Sequence, residues 1–149
     1  MRDLAESLGI TKAALYYHFP GKADILLALV EPVLDELEEI GGRGREAAVR
    51  DYVHLLADRA PGLMSLMNDP SAKRDIGKRL NGEQRFRALE RALADDGDVI
   101  AVRVALGAAH FGVLSTLSDR ARAGEPPELA GAERERIIRA ALAAWEAAA

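Results

Sequence analysis

The sequence predicts an all-α fold. Apolar residues recur at the helical period along nearly the whole chain, and no window alternates with the period of two that a half-buried strand requires. Glycine and proline punctuate the chain at intervals of helical length. The 149 residues allow one domain or a small pair, and 49% hydrophobic with 30% charged residues is the composition of a globular protein. Helices are expected at about 2–8, 11–19, 22–40, 45–60, 62–68, 72–80, 83–95, 98–123 and 132–147.

Composition narrows the chemistry. There is no cysteine, which excludes disulfides, thiolate nucleophiles and cysteine-bearing metal sites. His18, His54 and His110 lie too far apart in sequence for paired metal ligands. There is no glycine-rich phosphate loop and no nucleophile–base pair, so neither a metal, a cofactor nor an enzyme activity is expected. Met1-Arg2-Asp3 opens a mixed polar segment rather than a signal peptide, and the expected location is the cytoplasm. The net charge of −4 gives no bulk reason to bind nucleic acid, and any such function must come from a local site.

The first two helices carry that site. Residues 2–8 place Leu4, Ala5 and Leu8 on one side, Gly9 can end the helix, and Thr11 is suited to cap the next one. In the second helix Leu15 and Phe19 face inward, while Ala13, Tyr16 and Tyr17 fall on the opposite side. Two outward tyrosines beside Lys12 suit a helix lying in a DNA major groove, with a solvated surface patch as the plainer alternative.

The run Asp3-Leu4-Ala5, Leu8-Gly9-Ile10-Thr11-Lys12, Leu15-Tyr16-Tyr17-His18-Phe19-Pro20-Gly21-Lys22 resembles the DNA-binding signature of the tetracycline-repressor (TetR) family. The motif covers about the first 30 residues. The resemblance implies a helix-turn-helix part over 1–42, including a linking helix, and a helical ligand-binding and dimerisation domain over 43–149. It implies a homodimeric, ligand-responsive transcriptional regulator, usually a repressor, whose partners are a palindromic double-stranded DNA operator and a small-molecule effector. By the same resemblance Thr11, Lys12 and Ala13 approach base edges, Tyr16 and Tyr17 contact phosphates, His18 lies near the backbone, and Lys22 binds a phosphate at a helix start. Gly21 stands where members often carry serine, which weakens that helix cap. The family pattern also places a complete helix before the one near Arg2, so the helix-turn-helix is expected to be incomplete. The alternative expectation is a dimeric ligand-binding or interaction protein that has lost DNA binding through that truncation.

The helix at 22–40 shows a stripe of Leu26, Leu29, Val30, Val33, Leu37 and Ile40, with a kink expected at Pro32. Its acidic end (Asp35, Glu36, Glu38, Glu39) reads as a solvated face. Pro61 divides the following segment into two helices. The helix at 98–123 has the length of a membrane span, but Arg103, His110 and its small residues favour a buried soluble helix, and no membrane is expected. It carries two apolar stripes, Val102/Leu106/Val113/Leu117 and Ile100/Val104/Phe111/Leu114, and a face of small residues, Ala101/Ala105/Ala108/Gly112. A helix apolar nearly all round needs several neighbours, so it is expected to form a dimer interface with the helix at 132–147, the small face allowing close approach.

A ligand site should be mostly apolar with a few placed polar groups. Arg103 and His110 lie between the two stripes and could fix an anionic or carbonyl-bearing ligand. Separately, the alternatives are an arginine paired with an acid and a locally bonded core histidine. Met64, Met67, Phe86 and Phe111 are the expected apolar walls, and His54 is a weaker candidate.

Overall fold

In the computed structural model, the described residues are 11–67, 74, 79–94 and 98–149. Six helices are defined among them: α1 (Lys12–His18), α2 (Lys22–Ile40), α3 (Arg45–Met67), α4 (Gly82–Leu93), α5 (Val99–Ala123) and α6 (Gly131–Ala148). No strand occurs among the described residues. The expected helix at 2–8 lies outside them, as does most of that at 72–80.

Local chemistry sets the ends of these helices. The Thr11 hydroxyl accepts from the Ala14 backbone N–H at 3.1 Å, capping α1 as its sequence position predicts. Pro20 disfavours helical backbone at Phe19, and α1 stops at His18. Gly21 caps α2 with extended backbone and no side-chain bond. The Asp98 carboxylate accepts from the N–H groups of Ile100 (3.2 Å) and Ala101 (3.1 Å) to start α5. Gly124, at φ 73°, ends α5 in the left-handed region, and Glu125 N–H closes the turn onto the Arg120 carbonyl at 2.9 Å. Glu133 accepts from the Ala130 N–H at 2.8 Å and from Arg120 at 2.8 Å, joining the start of α6 to the last turn of α5.

Helix α3 differs from expectation: it runs unbroken through Pro61. A proline inside a helix loses one backbone hydrogen bond. Here Ala57 and Ala60 are buried on the turn before it, and this packing holds the helix across the proline. The stripe on α2 is also rotated from expectation. Ile25, Val30, Leu34, Leu37 and Ile40 are buried, whereas Leu29 is exposed and Val33 half-buried, because those two border clefts rather than the packed face of α3. Nor is the acidic end of α2 simply solvated. Arg85 of α4 bridges Asp35 and Glu38, each at 2.5 Å, and Arg59 of α3 holds Glu36 at 2.5 Å.

The core centres on α5, which packs against α6, α3 and α4. Val102, Leu106, Val113 and Leu117 are fully buried, as the first stripe predicts. Tyr52 and Val53 meet them from α3, and Ile138, Ala141 and Trp145 from α6. The small-residue face requires a correction. Ala101 and Ala105 are completely buried, and a Cβ at Gly112 would lie 3.2 Å from Ile137 Cγ2. Gly112 therefore lets α6 approach within the same chain, and Ala101 and Ala105, buried within the chain, are not the expected contact between chains. The second stripe stays open: Ile100 is 69% exposed, Val104 43% and Phe111 75%.

Trp145 is 2% exposed and stacked beneath the Arg45 guanidinium, 4.8 Å from the ring centroid. Truncating a buried aromatic ring costs about 3–5 kcal/mol. Trp145→Ala should lower the unfolding free energy by about that amount in urea titrations followed by far-ultraviolet circular dichroism. A loss under about 1 kcal/mol would show that the ring does not hold α6 to the core.

Candidate functional site

Two sites emerge, one on α1 and one between α2, α3, α4 and α5. On α1, Ala13 and Tyr17 face outward, Tyr17 at 86% exposure. His18 is also exposed, and its ring meets that of Tyr17 edge-on at 5.3 Å. Phe19 is half-buried. Thr11 is exposed while its hydroxyl caps the helix. The side chains of Lys12, Tyr16 and Lys22 lie outside the described ones. The described part of the segment thus presents a short capped helix with an aromatic and an imidazole at its C-terminal end.

The second site is an apolar cavity of about 530 Å³. Val33, Leu34 and Leu37 of α2 form one wall, and Leu55 and Leu56 of α3 another. Phe86 closes it from α4, and Leu106, Gly107 and Phe111 from α5. Its polar groups are Tyr52, Arg103 and His110. Four expected ligand residues, Phe86, Arg103, His110 and Phe111, therefore line one space. The side chains of Met64 and Met67 lie outside the described ones.

Sequence reasoning missed the two groups that decide what the polar residues can do. The first is Tyr52, buried on α3, whose hydroxyl lies 3.0 Å from His110 Nδ1. Burial raises the Tyr52 pKa, so the phenol stays protonated and needs an acceptor. His110 Nδ1 is within reach, and donation from the phenol to it goes with a neutral imidazole whose proton sits on Nε2. Partial burial lowers the His110 pKa in the same direction. The ring planes of Tyr52 and His110 lie 23° apart, and Phe86 flanks Tyr52 at 6.3 Å.

The second is Glu90. It is the one buried charged residue among those described, on the face of α4 that also carries Leu89 and Leu93. Arg103 donates to both its oxygens, Nε to Oε1 at 2.9 Å and a terminal nitrogen to Oε2 at 3.1 Å. This fork raises the Arg103 pKa and cancels the buried carboxylate. A lone acid within the α4 apolar stripe was the available signal, since a buried carboxylate demands a cation.

His54, the weaker candidate, lies elsewhere. It faces Arg134 at 3.3 Å beside a polar cleft of about 430 Å³ between α2 and α3. Charges around that cleft are paired: Arg43 with Asp51 at 2.5 Å, Arg59 with Glu36 at 2.5 Å and Arg134 with Asp58 at 2.8 Å. No group of three potential metal ligands occurs among the described residues. By length and composition α5 could cross a membrane, yet seven of its residues are buried by neighbouring helices.

The described residues thus form a capped helix with exposed ring side chains, followed by α2 and a helical body with an apolar cavity. Residues 1–29 match the family model for bacterial regulatory proteins of the tetR family. The chain is 33% identical, over 99 aligned positions, to the nucleoid occlusion factor SlmA of Marinobacter nauticus, covering 58% of this chain and 50% of that protein. It is 37% identical over 73 positions to the nucleoid occlusion factor SlmA of Idiomarina loihiensis, covering 43% of this chain and 37% of that one. The matches thus span half or less of these curated relatives. The family-model match falls on the segment that carries the Leu-Tyr-Tyr-His-Phe-Pro motif, and together with these relatives it supports the resemblance to the tetR family.

Partial burial of His110 makes stability pH-dependent. Because the native pKa of His110 lies below its unfolded value of about 6.5, the unfolded chain takes up the proton first as pH falls. The contribution of neutral His110 is complete above about pH 6.5 and is lost as pH drops through the native pKa. Thermal melts at pH 7.5 and about 5 should show a smaller decrease for His110→Gln than for the unsubstituted chain. Equal decreases would contradict the lowered native pKa of His110.

Proposed function

We propose that this chain is a homodimeric transcriptional regulator, a repressor, that binds a palindromic DNA operator and is controlled by a small-molecule effector in the cytoplasm. The observation that carries the reading is the outward display of Ala13, Tyr17 and His18 on a capped α1, inside the segment that matches the family model. In this arrangement Thr11, Lys12 and Ala13 open the recognition helix toward base edges. Tyr16 and Tyr17 contact phosphates, His18 lies beside the backbone, and Lys22 adds its charge at the start of α2. The name carried by the two relatives, nucleoid occlusion factor, is compatible with chromosomal DNA as the partner.

Dimerisation supplies the second recognition helix. Ile100, Val104 and Phe111 form an exposed apolar strip along α5, beside Ala140, Ala143 and Ala147 exposed on α6. A second copy, related by a two-fold axis, covers this surface with its own. Two-fold symmetry calls for two half-sites about one helical turn apart or slightly more. The effector occupies the apolar cavity. One wall of that cavity is α2, the helix that continues directly from the α1 segment, so occupancy bears on the spacing of the two recognition helices.

Two measurements test this reading. Phe111→Glu should convert the dimer to monomer in analytical ultracentrifugation at micromolar concentration, whereas unchanged sedimentation would remove α5 from the interface. On operator DNA obtained by selection from random duplexes, Lys22→Ala should weaken binding similarly on all sequences. It should also flatten the slope of log affinity against log salt by about one for each phosphate left without its lysine. Lys12→Ala should instead change base preference. Failure to enrich any duplex, or an unchanged salt slope for Lys22→Ala, would contradict the DNA reading.

A further inference from the structure

We infer that the effector is an uncharged, largely hydrocarbon molecule carrying one hydrogen-bond acceptor, bound between α2, α3 and α5 with that acceptor on His110. The inference rests on the reading of the cavity as an effector site and names the chemistry the site selects. Its volume of about 530 Å³ falls within the roughly 300–1,000 Å³ typical of small-molecule sites.

Three features set the ligand class. The walls are leucine, valine and phenylalanine, so most of the ligand surface must be apolar to repay desolvation. Among the described residues the only formal charge on the lining is Arg103, and both oxygens of Glu90 already hold its Nε and one terminal nitrogen. An anionic ligand would meet a guanidinium whose charge Glu90 already neutralises, and would lie close to that buried carboxylate. An ammonium ligand finds no carboxylate on the lining among the described residues. Net charge of either sign is therefore disfavoured, which removes the anionic option that Arg103 suggests in the sequence.

The remaining polarity comes from the Tyr52–His110 pair. The Tyr52 hydroxyl is committed to His110 Nδ1, so the pair offers a ligand the Nε2–H as donor. A carbonyl or ether oxygen is the matching group. Gly107, whose Cα has open space before it, leaves a way in beside this donor.

Matched fluorescent probes test the assignment without DNA, so loss of DNA binding would leave it standing and its failure would leave DNA binding standing. N-phenyl-1-naphthylamine is neutral, 1-anilinonaphthalene-8-sulfonate is the same scaffold with an anionic group, and 6-propionyl-2-dimethylaminonaphthalene is neutral with a ketone. Titrated into the full chain at pH 7.5, the neutral pair should bind at least about tenfold more tightly than the sulfonate, one decade corresponding to about 1.4 kcal/mol. Gly107→Leu, and independently Leu56→Trp from the opposite wall, should abolish binding of both neutral probes while the helical circular dichroism stays unchanged. His110→Leu should weaken the ketone probe about fivefold relative to N-phenyl-1-naphthylamine, the effect of one hydrogen bond. Equal or tighter binding of the sulfonate, no binding of either neutral probe, or full binding by both cavity-filling variants would overturn the inference. An unchanged probe ratio in His110→Leu would overturn the assignment of the acceptor to His110.

Discussion

A single constraint organises this molecule: α5 is apolar on almost every side and must be covered from several directions at once. A helix of that kind cannot rest on one neighbour. Here α3, α4 and α6 cover most of its circumference, with Val102, Leu106, Val113 and Leu117 at the centre of the core. Alanines and Gly112 bring α6 close on one flank. The other flank is where coverage is incomplete, and there the cavity and the exposed strip of Ile100, Val104 and Phe111 lie side by side. The two proposed binding events, of an effector and of a second copy, thus use adjoining parts of the same uncovered surface.

Electrostatics follow from the same packing. Covering α5 with α4 buries Glu90, and the carboxylate is tolerable only because Arg103 meets it with two hydrogen bonds. Around the periphery Arg85 ties α4 to Asp35 and Glu38 of α2, while Arg50 pairs with Glu135 across α3 and α6. Exposed pairs of this sort contribute only about 0–1 kcal/mol each and act mainly on how the helices are oriented. Among the described residues the cavity lining then carries one guanidinium neutralised by Glu90, one phenol and one imidazole.

Much of the fold is legible in the sequence, for identifiable reasons. Helical periodicity and glycine–proline punctuation place α2, α5 and α6 to within one residue at each end, because long periodic segments with clear caps leave few alternatives. The Thr11 cap and the outward Tyr17 follow from position within a short motif. Phe86, Arg103, His110 and Phe111 do line one space, although helix faces alone cannot say what each side chain meets. Pairing across helices is the harder part. Two roles stay open for Arg103 in the sequence because its partner sits 13 positions away on another helix. Tyr52 escapes notice there because its bond spans 58 positions. Pro61 misleads because local propensity gives way to burial of the turn before it, and the small face of α5 misleads because packing within a chain and between chains calls for the same residue types.

The central claim is that the cavity is mechanically continuous with the helix that leads from the α1 segment. Hydrogen–deuterium exchange of the chain with and without N-phenyl-1-naphthylamine tests it most directly. The account predicts slower exchange on probe binding in α2 from Val30 to Ile40, together with the Tyr52–Leu56 and Leu106–Phe111 turns. Protection confined to α3 and α5, with α2 amides exchanging at the same rate in both states, would contradict it.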